Sequence, residues 1–207
     1  MNMKKKLVAG GLVAALAATA IGGATLAYFT DEESKDNTFT VGTVDITLTE
    51  DKWVESDAKL IPGRVIDKNP TITLEAGSED AYTFMKVQLS KDFVDLLTEY
   101  ATAVGVTDPA DYGDVIDDWF VSEVGPKVMS VNLTEGYVIL GVMSPKSAGD
   151  SVTYFDQVTV PTSVEKEMLS VDDDYTITVT GYAIQAEGFD TREEAFAALF
   201  PDEVMLP

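Results

Sequence analysis

Seven short runs rich in β-branched and aromatic residues, set apart by Gly, Pro and Asp, govern what this chain can fold into. Thr38–Thr49 (TFTVGTVDITLT) alternates, with Val44, Ile46 and Leu48 on one face, which is the period of a half-buried strand. Further β-rich runs lie at Thr71–Leu74, Tyr82–Leu89, Val128–Leu133, Tyr137–Val142, Ser151–Val160 and Tyr175–Ile184, and Pro62-Gly63 marks a turn. This pattern predicts a mainly β chain built as an antiparallel sandwich. A few short helices interrupt it. Lys91–Val104 places Phe93, Val94, Leu97, Tyr100 and Ala101 at helical spacing, with Gly105 as the stop. Asp108-Pro109 opens a second helix, with Asp111 near its third position. Thr191-Arg192-Glu193-Glu194 is a capping-box pattern ahead of Ala195, Phe196, Leu199 and Phe200, and Pro201 closes that helix. With no internal repeat and no long linker, one domain is expected.

The first segment is an address rather than part of the fold. Lys4-Lys5-Lys6 precedes an uncharged run, Leu7–Ala27, that ends in small residues at Thr25 and Ala27. That is the order of a secretory signal peptide cut after Ala27, giving a mature chain that starts at Tyr28. The other reading is an uncleaved anchor, since the run is just long enough to span a bilayer. No apolar tail or wall-sorting motif follows Phe200.

Charge and composition narrow the chemistry. The chain carries 14 basic and 36 acidic side chains, and losing Lys4, Lys5 and Lys6 takes its formal charge from −22 to −25. Such a surface repels nucleic acid and anionic membrane, both of which require basic groups to displace counterions. Membrane contact is therefore expected only through the uncleaved leader. There is no cysteine and no histidine. Disulfides, thiol nucleophiles and Cys/His zinc sites are excluded, and so is the usual general base near neutral pH. No HExxH, P-loop, GxSxG or dinucleotide fingerprint occurs. Catalytic, cofactor and metal residues are accordingly expected to be none. Asp172-Asp173-Asp174, Asp117-Asp118 and Asp31-Glu32-Glu33 are read as solvated turns, because the calcium-loop spacing with its Gly and distal Glu is absent. Trp53, Tyr82, Tyr137 and Tyr154 are read as core or sheet-face residues.

The stretch Lys4–Leu48 resembles the leader and mature start of the TasA/camelysin (CalY) family. The residues that carry the likeness are Tyr28-Phe29-Thr30-Asp31, Ser34-Lys35-Asp36, Thr38-Phe39, Gly42-Thr43 and Asp45-Ile46. Weaker echoes lie at Leu60-Ile61-Pro62-Gly63, Lys68-Asn69-Pro70-Thr71, Tyr154–Val158 and Tyr182–Phe189. The resemblance implies export from a Gram-positive cell with the dedicated signal peptidase SipW. It implies a jelly-roll-like β-sandwich with helices inserted between strands, placed in an extracellular or biofilm matrix or on the cell surface. It also implies fibres held by donor-strand complementation, the mature N-terminus of one subunit adding a strand to the next. Self-association is thus the expected partnership, with a signal peptidase during export.

On that reading the chain divides into a signal peptide at 1–27, an extended assembly segment at 28–40 and a β-sandwich domain at 41–207. Tyr28, Phe29, Phe39 and Val41 supply the apolar contacts of the donated strand. Some relatives are described as metalloproteases, an activity that a chain without histidine does not inherit. Two other readings stand beside the fibre subunit: a monomeric adhesin-like binding protein, and a secreted hydrolase using carboxylates or a metal.

Secreted protein should begin at Tyr28, within two or three residues, on N-terminal sequencing or intact mass. Retention of the whole leader would show an anchor instead.

Overall fold

The structure is a computed structural model and describes residues 43–121 and 126–206. The expected boundaries at 27 and 40, and the residues Thr25, Ala27, Tyr28, Phe29, Phe39 and Val41, lie outside the described residues. Among the described residues there are ten strands, β1 (Ile46–Thr49), β2 (Val65–Asp67), β3 (Thr71–Leu74), β4 (Ala81–Leu89), β5 (Phe120–Val121), β6 (Lys127–Asn132), β7 (Tyr137–Gly141), β8 (Ser151–Thr153), β9 (Gln157–Thr159) and β10 (Ile177–Gln185). Three α-helices accompany them, α1 (Lys91–Ala103), α2 (Tyr112–Trp119) and α3 (Arg192–Leu199). The architecture is mainly β and antiparallel, as the runs predict. The strands form a four-stranded sheet in the order β10-β4-β7-β6 and two three-stranded sheets, β1-β3-β8 and β2-β9-β5.

Strand β4 organises the packing. Met85, Val87 and Leu89 point to one face with Val138 and Leu140 of β7, and this face meets α1, α2 and the smaller sheets. Tyr82 and Phe84 point to the opposite face with Ile139, and there they meet α3. Ile72 of β3 and Ile46 of β1 press so closely on β10 that a Cβ on Gly181 would lie 3.0 Å from one and 3.3 Å from the other. The β1-β3-β8 sheet therefore stacks on the larger sheet in a sandwich-like layer.

The helices form where the apolar spacing requires them. α1 buries Phe93, Leu96, Leu97, Tyr100 and Ala101, and it ends at Gly105, which takes the left-handed φ of 88° that a Cβ disfavours. Trp119 of α2 receives the edges of Phe93 and Tyr100 at centroid distances of 5.4 and 6.0 Å. Thr191 caps α3 by accepting from the Glu194 amide at 3.2 Å. Glu194 returns its carboxylate to the Asp190 amide at 2.8 Å, one residue before the position a capping box uses.

Two expectations are corrected. Ser151–Val160 is not one strand, because β8 and β9 belong to different sheets. Tyr154 and Phe155 are both fully buried, and neighbouring side chains of one flat strand point to opposite faces, so the chain changes sheet there. Pro109 opens a 3-10 turn, Pro109–Asp111, and α2 begins only at Tyr112. The short strands β2 and β5 have too few residues to show a period in sequence. No helix among the described residues is long and apolar enough to cross a membrane.

Gly141 tests the packing of the α3 side of the main sheet. A Cβ there would sit 2.9 Å from both Met129 Cγ and Phe84 Cδ1. Gly141→Ala should lower the unfolding free energy in urea by about 1–3 kcal/mol through overpacking, whereas Gly77→Ala, with open space around it but φ at 94°, should lose only about 1 kcal/mol from backbone strain. Equal losses at the two positions would show that the aromatic layer tolerates extra volume.

Candidate assembly surface

Sheet edges expose unpaired backbone groups to which another strand can add unless something blocks them. The β6 edge is interrupted by a bulge between Val128 and Ser130, and the C-terminal tail sits against it, with the Leu206 amide donating to the Met129 carbonyl at 2.8 Å. The edges at β2, β5 and β8 are two or three residues long. β10 differs from these. It pairs with β4 over nine residues in unbroken register, it contains no proline or lysine, and its outer side carries no strand among the described residues. β1, itself an edge, runs alongside β10 without hydrogen-bonding to it. The outer side of β10 is therefore a long edge that no described strand covers, and β1 packs over the face of β10 beside it.

A groove of about 1030 Å³ opens beside the start of β10. Glu50, just after β1, and Tyr175-Thr176-Ile177, leading into β10, line it together with Trp53, Ile61 and Val171. Trp53 stands on the loop between β1 and β2 and remains 39% exposed, which corrects its expected place in the core or on a sheet face. Tyr82, Tyr137 and Tyr154 are buried as expected. Trp53 is held from one side by Lys68, whose ammonium lies 4.6 Å from the ring centroid and pairs with the Glu50 carboxylate. Lys68 is buried at 3% exposure, and burial requires such a partner for its charge. Sequence alone missed this group, since Lys68 lies beyond β2, apart from Glu50 and Trp53, and only the fold joins them.

The acidic clusters have structural partners. Asp173 accepts from the Tyr175 hydroxyl at 3.0 Å, Asp174 accepts from the Thr176 hydroxyl at 2.5 Å, and the Asp174 amide donates to Asp92 at 2.8 Å. Asp118 accepts from the Tyr100 hydroxyl at 2.8 Å. These contacts fix the turn before β10 and the packing of α1 on α2. Asp31-Glu32-Glu33 lies outside the described residues.

Comparison with known proteins adds an identity to this geometry. A family model described as camelysin metallo-endopeptidase matches residues 2–179, ending within β10. Over 69 residues the chain is 42% identical to the major biofilm matrix component of Bacillus subtilis (strain 168), a stretch that makes up 33% of this chain and 26% of that relative. The match thus spans about a quarter of the relative's length. The family description implies a catalytic metal, and the residues present do not fit one. Protein zinc sites of that kind draw on His or Cys, of which the chain has none, and no three Asp or Glu side chains among the described residues converge in a ligating cluster.

The Lys68–Glu50 pair gives this surface a measurable signature. Glu50→Gln should cost roughly 2–4 kcal/mol in chemical unfolding by stranding a buried ammonium. Adding Lys68→Met should recover much of that loss, because the stranded charge is then removed. Additive losses in the double variant would show that the pair is not coupled.

Proposed function

The chain belongs to the camelysin metallo-endopeptidase family, and within it we propose that this protein is a secreted structural subunit of an extracellular, biofilm-type matrix rather than a peptidase. The observation that carries the reading is the long edge of β10, which no strand among the described residues covers and whose other side is already built into the main sheet. An edge of this kind binds an added strand through its backbone groups. The likeness to a biofilm matrix component supports the same role. In this reading the leader is removed by a signal peptidase after Ala27, and Tyr28–Val41 of one subunit becomes the added strand of another. Tyr28, Phe29, Phe39 and Val41 give it apolar contacts, and the backbone carries its polar middle. Charge opposes the step, because each mature subunit brings a formal −25 to the contact.

A mature chain and a chain beginning at Thr40 should give the same circular dichroism, and only the mature chain should form filaments by electron microscopy. Filaments from the shortened chain would locate assembly elsewhere. Light scattering of the mature chain should rise from about pH 8 toward about pH 4 as carboxylates lose charge, and it should rise with salt as screening shortens to about 8 Å at physiological ionic strength. A response to neither would mean that surface charge does not govern assembly.

Protein purified without added metal should contain less than stoichiometric zinc and leave casein uncut. Stoichiometric zinc together with chelator-sensitive cleavage would restore the peptidase reading.

A further inference from the structure

We infer that the groove beside Trp53 is an anchoring pocket for the Tyr28-Phe29 pair of a neighbouring copy of this chain, an inference that rests on the matrix-subunit reading above. Two observations lead to it. The first is length. β10 offers nine residues of edge, and Tyr28–Val41 supplies fourteen, so five residues extend past the start of that edge. If the donated segment runs parallel to β10 along this edge, Val41 back to Glu33 pairs with β10 and Tyr28–Glu32 overhangs its start by roughly 16 Å. The overhang meets the groove, since the end of β1 and the start of β10 both line it.

The second observation is the character of the lining. Trp53, Ile61 and Val171 are 39, 45 and 101% exposed, large apolar side chains left in solvent around a concave site floored by buried Phe93 and Ile66. Apolar surface gathered in this way marks a contact site, and the five overhanging residues begin with two of the three aromatic side chains of the segment. The groove rim carries Lys59 and Lys166 toward the following Asp31 and Glu32, and it also carries Glu55, Asp173 and Asp174, which oppose them. With the rim charges near balance, the apolar pair supplies the selectivity. Such an anchor also fixes register, which backbone pairing along an edge specifies weakly.

The chain reports on this itself. Of its two tryptophans, Trp119 is fully buried and Trp53 lines the groove, so a change in emission on assembly reads the groove. Full mature chains carrying Tyr28→Ala with Phe29→Ala, or Ile61→Glu with Val171→Glu, should each need at least about tenfold more protein to assemble in sedimentation velocity, with thermal unfolding unchanged. The shift of parent emission to shorter wavelength on assembly should be absent in both. Mixed together, the two variants should form one-to-one dimers that grow no further, because one retains only the pocket and the other only the anchor. If the groove variant assembles like the parent while the anchor variant fails, the pocket is overturned and the matrix-subunit reading stands. If the parent stays monomeric, that reading fails, and the pocket is then tested with the synthetic peptide Tyr28–Val41. An emission shift abolished by Ile61→Glu with Val171→Glu would uphold the pocket, and no shift would overturn it.

Discussion

The antiparallel ladder between β4 and β10 is the constraint on which the rest of this molecule depends. It runs for nine residues without a bulge, from Ala81↔Gln185 to Leu89↔Ile177. β4 lies inside the sheet and is covered on both faces, so seven of its nine side chains are buried and its alternation is nearly lost. Only Lys86 and Gln88 stay partly exposed, and Lys86 places its ammonium 3.5 Å from the centroid of the Tyr137 ring. Everything that packs on the main sheet is positioned by the two faces of this strand.

The two faces are finished differently. Toward the smaller sheets and α1, the core is aliphatic and aromatic with few polar groups, although Thr83, Trp119 and Tyr154 each bury a polar atom without a protein hydrogen-bond partner. Burial raises the pKa of the Tyr154 phenol and keeps it neutral. On the other face a cluster of Phe84, Phe196, Phe200 and Tyr182 meets edge to face at 5.2 to 5.9 Å. The tail beyond α3 is tied down there by Glu203, which accepts from the Tyr137 and Ser130 hydroxyls. This C-terminal layer lies beyond residue 179, where the family match ends. It covers the sheet face and the β6 edge but not the outer side of β10, which leaves that strand the longest uncovered edge among the described residues.

The elements with a clear period were legible in the sequence. Thr71–Leu74 is a strand with the expected limits, and α1 departs from its expected limits only at Val104. The runs at Tyr82, Val128, Tyr137 and Tyr175 become strands shifted by one or two residues. Ser151–Val160 misled because composition cannot reveal a corner; Tyr154 and Phe155 suit a strand as residues but are buried in succession where the chain passes between sheets. Trp53 misled for the opposite reason. A large aromatic side chain is normally core, and here Lys68 and Glu50 hold it at a groove mouth through contacts that sequence spacing does not suggest.

By itself the sequence determined the class of fold, the first and last helices with their stops, the acidity of the surface, and the absence of histidine and cysteine chemistry. These follow from local periodicity and from side-chain inventory, which require no knowledge of neighbours. Tertiary structure alone decided which strands became edges, which edge no other described strand covers, and where Glu50, Trp53, Lys68 and Val171 came together. Strand order and loop convergence depend on contacts between distant segments, and an edge differs from a central strand only in what stands beside it.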